Sequence, residues 1–215
     1  MQYLTVTNVL LALTIIISLR AHENRDLKYS MLFSPYAAKH QGKWWLIFTH
    51  ALIHADFMHL GFNMFGLYLF GTSVEESLVS DFVIAGKPEL VGHLCFAGLY
   101  IGGLMFATLP SFYKHSDNTA YHSLGASGAV SAVIFAFIIM EPDRDLMLIF
   151  LLIPIPGLIF GPLYLIAEYY SSKKQRTNIA HDAHIAGAIF GLIYIGSVNF
   201  DYFIDCWKYI SSSLS

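Results

Sequence analysis

Ser123 to Met140 reads SLGASGAVSAVIFAFIIM, and this stretch decides the fold because it sets a serine among small residues at the start of a helix too short to cross a membrane. Gly125-Ala126-Ser127-Gly128 flanks one hydroxyl with small side chains, and the apolar run behind it halts at Glu141-Pro142, since proline disfavours helical geometry in the residue before it. At about 1.5 Å of rise per residue a helix from Ser127 to Met140 is about 21 Å long, against a hydrocarbon core of about 30 Å. Unless it tilts outward or frays, one end lies below the membrane surface. If that end is the N-terminal one, Ser127 sits inside the bilayer, where the unpaired N–H groups and positive dipole end of a helix start can bind a developing anion. Such a place suits acyl-transfer chemistry.

Outward from that stretch the composition is that of a membrane protein. The 215 residues are 56% apolar and only 13% charged, where about 25% charged is usual for a soluble domain. The reading is one polytopic domain over residues 1–215. A net charge of −3 with scattered basic residues excludes an evident nucleic-acid partner. Cys95 lies in an apolar run and Cys206 in the tail, so both read as packing residues rather than a disulfide. The apolar start, Tyr3 to Leu19, lacks a basic segment before it and a small-residue cleavage site after it, which predicts a retained first helix over a cleaved signal.

Hydrophobic runs of spanning length or close to it fall at roughly 3–20, 57–79, 88–112, 127–140, 146–170 and 183–203, which predicts a bundle of six helices. The linkers are short except Arg20 to Trp44, whose charges, Pro35, Gly42 and Trp44-Trp45 pair suit the headgroup interface. The fifth run carries Pro154, Pro156, Gly157, Gly161 and Pro162, each of which weakens a helical ladder, so lateral mobility is expected there. No internal repeat or low-complexity segment is evident.

In the sixth run His184, Gly187 and Gly191 share one helical face, and the two glycines let a neighbouring helix approach closely. The fourth run offers a matching small face at Gly128, Ser131 and Ala132. If those faces meet, His184 and Ser127 come within hydrogen-bond reach as general base and nucleophile; the alternative is a structural helix pair with its histidine bonded to a carbonyl. At the start of the second run, His50, His54, His59 and Asn63 cluster in apolar surroundings, where ionisable and amide groups are expensive and point to function. His59 and Asn63 stand at i and i+4 and can both donate to a tetrahedral oxyanion. His50 and His54 read more simply as loop-bridging groups. A metal reading sets His50 and His54 with His181 and His184, but Ala51 stands where an HExxH zinc site carries its glutamate base.

These residues resemble the rhomboid family of intramembrane serine proteases. The resemblance rests on HxxxxHxxxN at His54, His59 and Asn63, GxSG at Gly125 to Gly128, and HxxGxxxG at His184, Gly187 and Gly191, in that order on the second, fourth and sixth helices. It implies an all-α, six-transmembrane-helix bundle with a short central helix carrying the serine. It further implies Ser127 as nucleophile, His184 as general base and acid, and His59, Asn63 and the Ser127 amide as oxyanion hole. His54 becomes a structural partner, with Gly125, Gly128, Gly187 and Gly191 shaping the site, and the 20–44 linker a membrane-embedded first loop. The substrates implied are transmembrane proteins, cut in or near their helices by a Ser–His dyad without cofactor or metal, in a multi-pass protein of the cell (inner) membrane. The alternatives are a catalytically inactive relative that binds membrane clients, and a metal or proton transporter built on the histidines.

Three departures bear on that expectation. Trp45-Leu46 stands where family members commonly have Trp-Arg, so the arginine's loop contacts are missing or made elsewhere. Ser131 stands where some members carry a tyrosine stacked on the catalytic histidine, leaving Asp182 or His181 to orient it. Most Lys and Arg residues lie in the linkers after the first, third and fifth runs, so the positive-inside rule puts the mouth of the site in the cytoplasm, opposite to the usual family orientation.

Overall fold

The computed structural model describes residues 5–148, 153–174 and 180–213, and the chain is mostly helical. Helix α1 (Val6–Glu23) starts on the Thr5 hydroxyl, which accepts from Asn8 N. Its first turn is also held from a distance. The carboxylate of Glu75, only 1% exposed, accepts from Val6 N at 2.7 Å, Thr7 N at 2.8 Å and the Thr7 hydroxyl at 2.6 Å, and pairs with His93 Nδ1 at 2.6 Å. A carboxylate against the N–H groups and positive dipole end of a helix is strongly favoured. This one ties three helices together.

The charged linker folds into three short helices, α2 (Arg25–Met31), α3 (Pro35–Gln41) and α4 (Leu46–Thr49). Ser34 caps α3 with Pro35 in its first turn, and Gly42 closes it at φ 70°, a start and stop that the residue types favour. A further turn at His50–Leu52 leads to α5 (Phe57–Gly66), capped by the Asp56 carboxylate. The helix continues through a wider π turn at Leu67–Gly71 into α6 (Thr72–Ile84), so the second element runs past the 57–79 expected. Helix α7 (Glu89–His115) keeps Pro110 within it.

Helix α8 (Ser127–Met140) begins at the serine and ends before Pro142. It is buried nearly all round, with Ala129, Ala132, Val133 and Ala136 at 0% exposure, as a helix apolar on every face requires. Its C-terminal end is fixed by Glu141, whose carboxylate accepts from Ser73 and Ser77 of α6 at 2.7 and 3.0 Å.

Two elements differ from the sequence reading. Strands β1 (Asp145–Leu148) and β2 (Ile153–Pro156) pair antiparallel, Asp145 opposite Pro156 and Leu148 opposite Ile153, where the run from 146 predicted helix. Residues 149–152, part of that predicted helix, lie outside the described residues, as do residues 3–4 of the first run. Pro154 and Pro156 lack the N–H a helical ladder needs but are tolerated on a ribbon whose strands are both edges. Helix α9 (Gly157–Lys174) starts only after them. The sixth run breaks as well: α10 (His181–Val198) and α11 (Asp201–Ser213) meet at 107°. Asn199 is extended there, and its side chain accepts from Asp201 N, a local turn that competes with helix.

Val6–Glu23 and Glu89–His115 are each long and apolar enough to cross a membrane, and α10 with α11 forms a bent candidate. Large apolar side chains such as Ile16, Leu94 and Ile193 are about 60% exposed, a surface that lipid rather than water suits. Cys95 and Cys206 are both free thiols.

Candidate active site

Backbone contact brings α8 and α10 together. A Cβ on Gly187 would fall onto the carbonyl oxygen of Gly128, and one on Gly191 onto that of Ala132. On the other side of α8, a Cβ on Gly128 would overlap Ala107 of α7. With side chains removed at these places, the first turns of α8 and α10 sit side by side. His184 Nε2 lies 2.6 Å from Ser127 Oγ.

The segment leading into Ser127 is held by the loop before α5. Phe33 and Ser123 exchange two backbone hydrogen bonds of 3.0 Å, Gly125 N donates to His50 O at 2.9 Å, and Ala126 N donates to His54 Nε2 at 3.4 Å. Because His54 Nε2 accepts, its ring proton is on Nδ1, which donates to the Ser18 hydroxyl at 2.9 Å. Burial, with the nearby His59 and His50, pushes His54 down to about 3, so the ring is neutral and suited to accept. His50 is equally committed, its Nδ1 donating to Leu46 O at 2.9 Å. Neither histidine joins His181 and His184, so the four-histidine metal set considered from sequence does not assemble.

Gly125 has φ +107°, and a Cβ there would meet His59 Cε1 at 2.7 Å. Both conditions demand glycine. They let the His59 ring lie against Gly125, edge-on to His54 with centroids 4.9 Å apart. His59 Nδ1 accepts weakly from Ala55 N at 3.5 Å, which puts the ring proton on Nε2, on the ring edge that with Cε1 packs on Gly125. Asn63 is buried on the same helix and donates through Nδ2 to His59 O at 2.8 Å, so its amide is held against its own backbone. A cavity of about 30 Å³ lined by Ser127, His50, Thr108, Ser111 and Ser123 adjoins the serine, with room for a water molecule.

The group that reaches the far side of His184 is Glu168 of α9. Its Oε1 lies 3.0 Å from His184 Nδ1 and its Oε2 2.6 Å from His181 Nδ1, all three side chains being largely buried. Asp182, considered from sequence as an orienting group, instead pairs with Lys114 of α7. Tyr164, one turn before Glu168, exchanges a 2.9 Å hydrogen bond with Ser131 and stacks its ring near that of His184, centroids 6.5 Å apart. A carboxylate inside an apolar run is itself a signal of function, and Glu168 carries that signal. Glu168, His181 and His184 also have the donor types of a cation site, their atoms within 4.8 Å of one another, although each carboxylate oxygen already accepts from an imidazole. Leu46, in the place of the missing arginine, packs with Phe33, Ala37 and Ala38. Polar anchorage of the loop comes from Lys39 and His40, both on Asp117 at 2.8 Å, which hold that carboxyl below its usual range.

A sequence profile described as the Rhomboid domain matches residues 41–198. The chain belongs to the rhomboid family, an integral membrane family. It is similar to the mitochondrial RHOMBOID-like protein 12 of Arabidopsis thaliana, 33% identical over 153 residues, 68% of this chain and 44% of that protein. It is 33% identical to the putative rhomboid protease YdcA of Bacillus subtilis over 106 residues, 48% and 45% of the two chains. It is 29% identical to the rhomboid protease GlpG of an Enterobacter species over 160 residues, 74% and 50%. The chain thus spans about half the length of the curated relatives it matches.

Proposed function

We propose that this chain is an intramembrane serine endopeptidase that hydrolyses peptide bonds in or near transmembrane helices, working as one domain over residues 1–215 with six membrane-spanning segments. The observation that carries the reading is the 2.6 Å approach of His184 Nε2 to Ser127 Oγ at the N-terminal end of a buried helix. In this reading Nε2 takes the Oγ proton as Oγ attacks the scissile carbonyl carbon, and the resulting imidazolium returns that proton to the leaving amine. Water, activated by the same nitrogen, then cleaves the acyl-enzyme. The oxyanion of each tetrahedral intermediate is met by the Ser127 amide at the helix start, by His59 Nε2–H, and by Asn63 once its amide turns from the His59 carbonyl. His54 acts through position, holding Ala126.

The substrates are membrane proteins, and the protein lies in a lipid bilayer. Both mitochondrial and bacterial proteins are among its relatives, so the cell (inner) membrane is the reading for a bacterial host. Neither cofactor nor metal is part of the scheme, and EDTA leaves the rate unchanged if it is right.

The test is labelling of the detergent-purified protein by a fluorescent fluorophosphonate. Wild-type labelling that vanishes in Ser127→Ala and His184→Ala is expected. A folded protein that takes no label returns the chain to the inactive, client-binding reading, and label retained in Ser127→Ala removes that serine from the chemistry.

A further inference from the structure

The Ser127–His184 pair leaves one requirement unmet by α8 and α10. An imidazole that is to take a proton at Nε2 must carry its own proton on Nδ1, and its ring must stay in the plane of the serine hydroxyl. Nothing on α8 supplies this, because position 131 is a serine too short to reach over the ring.

We infer that Glu168 and Tyr164 of α9 are the positioning pair for His184, so that the site is a Ser127–His184–Glu168 array assembled from three helices. Tyr164 and Glu168 are i and i+4 and share a face, and that face is the one turned to His184. Glu168 Oε1 at 3.0 Å accepts the Nδ1 proton, fixing the tautomer whose Nε2 lone pair meets Ser127. When the imidazolium forms, the carboxylate sits against it in surroundings poor in water, where a charge-assisted hydrogen bond is strong. His181 occupies the second oxygen and so fixes the carboxylate plane. The other acidic side chain on the first turn of α10, Asp182, is drawn away by Lys114, leaving Glu168 as the carboxylate in hydrogen-bond contact with His184. Tyr164 restores, from another helix, the aromatic ring that Ser131 does not provide. The Ser131 hydroxyl bonds the Tyr164 hydroxyl and thereby seats the ring beside the imidazole. Serine at 131 and tyrosine at 164 work as a complementary pair.

This inference rests on the Ser–His reading above, and the experiment separates the two. The full chain in detergent is labelled with the same fluorophosphonate over a range of concentrations, giving a limiting rate kinact and an apparent affinity KI. Glu168→Gln is expected to lower kinact by about 10²- to 10⁴-fold, the upper figure being the loss when a triad carboxylate becomes an amide, with KI within about twofold. Glu168→Asp keeps the charge and regains part of that loss. Tyr164→Leu is expected to lower kinact about tenfold and Tyr164→Phe less. In protein carrying ¹⁵N-histidine, the His184 proton sits on Nδ1 in the wild type and redistributes to Nε2 in Glu168→Leu.

A wild-type kinact in Glu168→Gln, or a His184 tautomer indifferent to Glu168→Leu, overturns the inference while leaving the dyad standing. Absence of label on wild-type protein sinks the reading beneath it instead. Should Glu168→Gln fail to fold, Glu168→Asp decides: a reduced kinact at constant KI supports the role, and a fully wild-type kinact overturns it.

Discussion

Helices α8 and α10 meet backbone to backbone, whereas α9 reaches the same site through the ends of long side chains. The first contact has no slack. Gly187 lies against the Gly128 carbonyl and Gly191 against the Ala132 carbonyl, and a carbonyl oxygen within a helix cannot rotate aside. The second contact reaches across by Tyr164 and Glu168, whose torsions can absorb small shifts of the helix. Proximity of Ser127 and His184 is thus built into the rigid pair, while the proposed orientation of His184 comes from the adaptable one. Substitutions that attack the two contacts should separate these contributions.

The largest effect is expected at the rigid contact. Gly187→Ala places a methyl group on the Gly128 carbonyl oxygen, and overpacking that cannot relax costs about 1–3 kcal/mol or more. It should lower the melting temperature in detergent and abolish Ser127 labelling together. Gly187→Ala protein with wild-type stability and labelling would mean that the helices can move apart freely, and the contrast with α9 would be lost.

A step down are the proposed oxyanion donors. His59→Ala removes a ring packed on Gly125 and, as a lost oxyanion donor, should cost about 10²- to 10³-fold in kcat with KM nearly unchanged. Asn63→Ala should cost no more than that, because its amide must first leave the His59 carbonyl. An unchanged kcat in Asn63→Ala removes it from the hole.

Much of the rigid half of this comparison was legible in the sequence, because small residues at helical spacing, a glycine-flanked serine and a proline stop are local signals. They gave the bounds of α8 and the meeting of Ser127 with His184. What was illegible depended on tertiary placement. Glu168 stood at the end of an apolar run whose rotation about its axis no spacing reveals, so its aim at His184 could not be read. The run from 146 reads as helix because a short apolar run does not distinguish helix from strand, although Pro154 and Pro156 mark the ribbon. Asn199 held the signal for the bend between α10 and α11, hidden by continuous hydrophobicity around it. Tyr164 was readable only once Ser131 was seen to need a partner.

Acid should discriminate the two halves as well. Burial first, then neighbouring charges, lowers His54 from 6.5 to about 3, and burial lowers His50 to about 4. Between those values and pH 6.5 the unfolded chain binds more protons than the folded one, so stability falls as pH drops below about 6.5. The loss acts on the loop that clamps Gly125 and Ala126, ahead of the rigid pair. The melting temperature in detergent should fall from pH 7.5 to 5, and less steeply in His54→Asn. An equal slope in the variant would show that His54 is not a source of the acid sensitivity.

The smallest effect completes the contrast. Gly161 lies on α9, where a Cβ would meet Ile138 Cδ1 at 3.4 Å and Phe135 Cε1 at 3.5 Å, ordinary van der Waals contact with movable side-chain ends. Alanine is also the better helix former by roughly 1 kcal/mol. Gly161→Ala should therefore leave the melting temperature unchanged or slightly raised, where the same chemical change at Gly187 lowers it. Its effect on rate is informative because α9 carries Glu168 and Tyr164. If α9 holds its side chains in place without needing to flex, labelling of Ser127 stays within about twofold of wild type. A variant that is more stable yet labels tenfold more slowly would show that α9 must bend for His184 to be set, and that the adaptable contact works through motion of the helix as well as reach of its side chains.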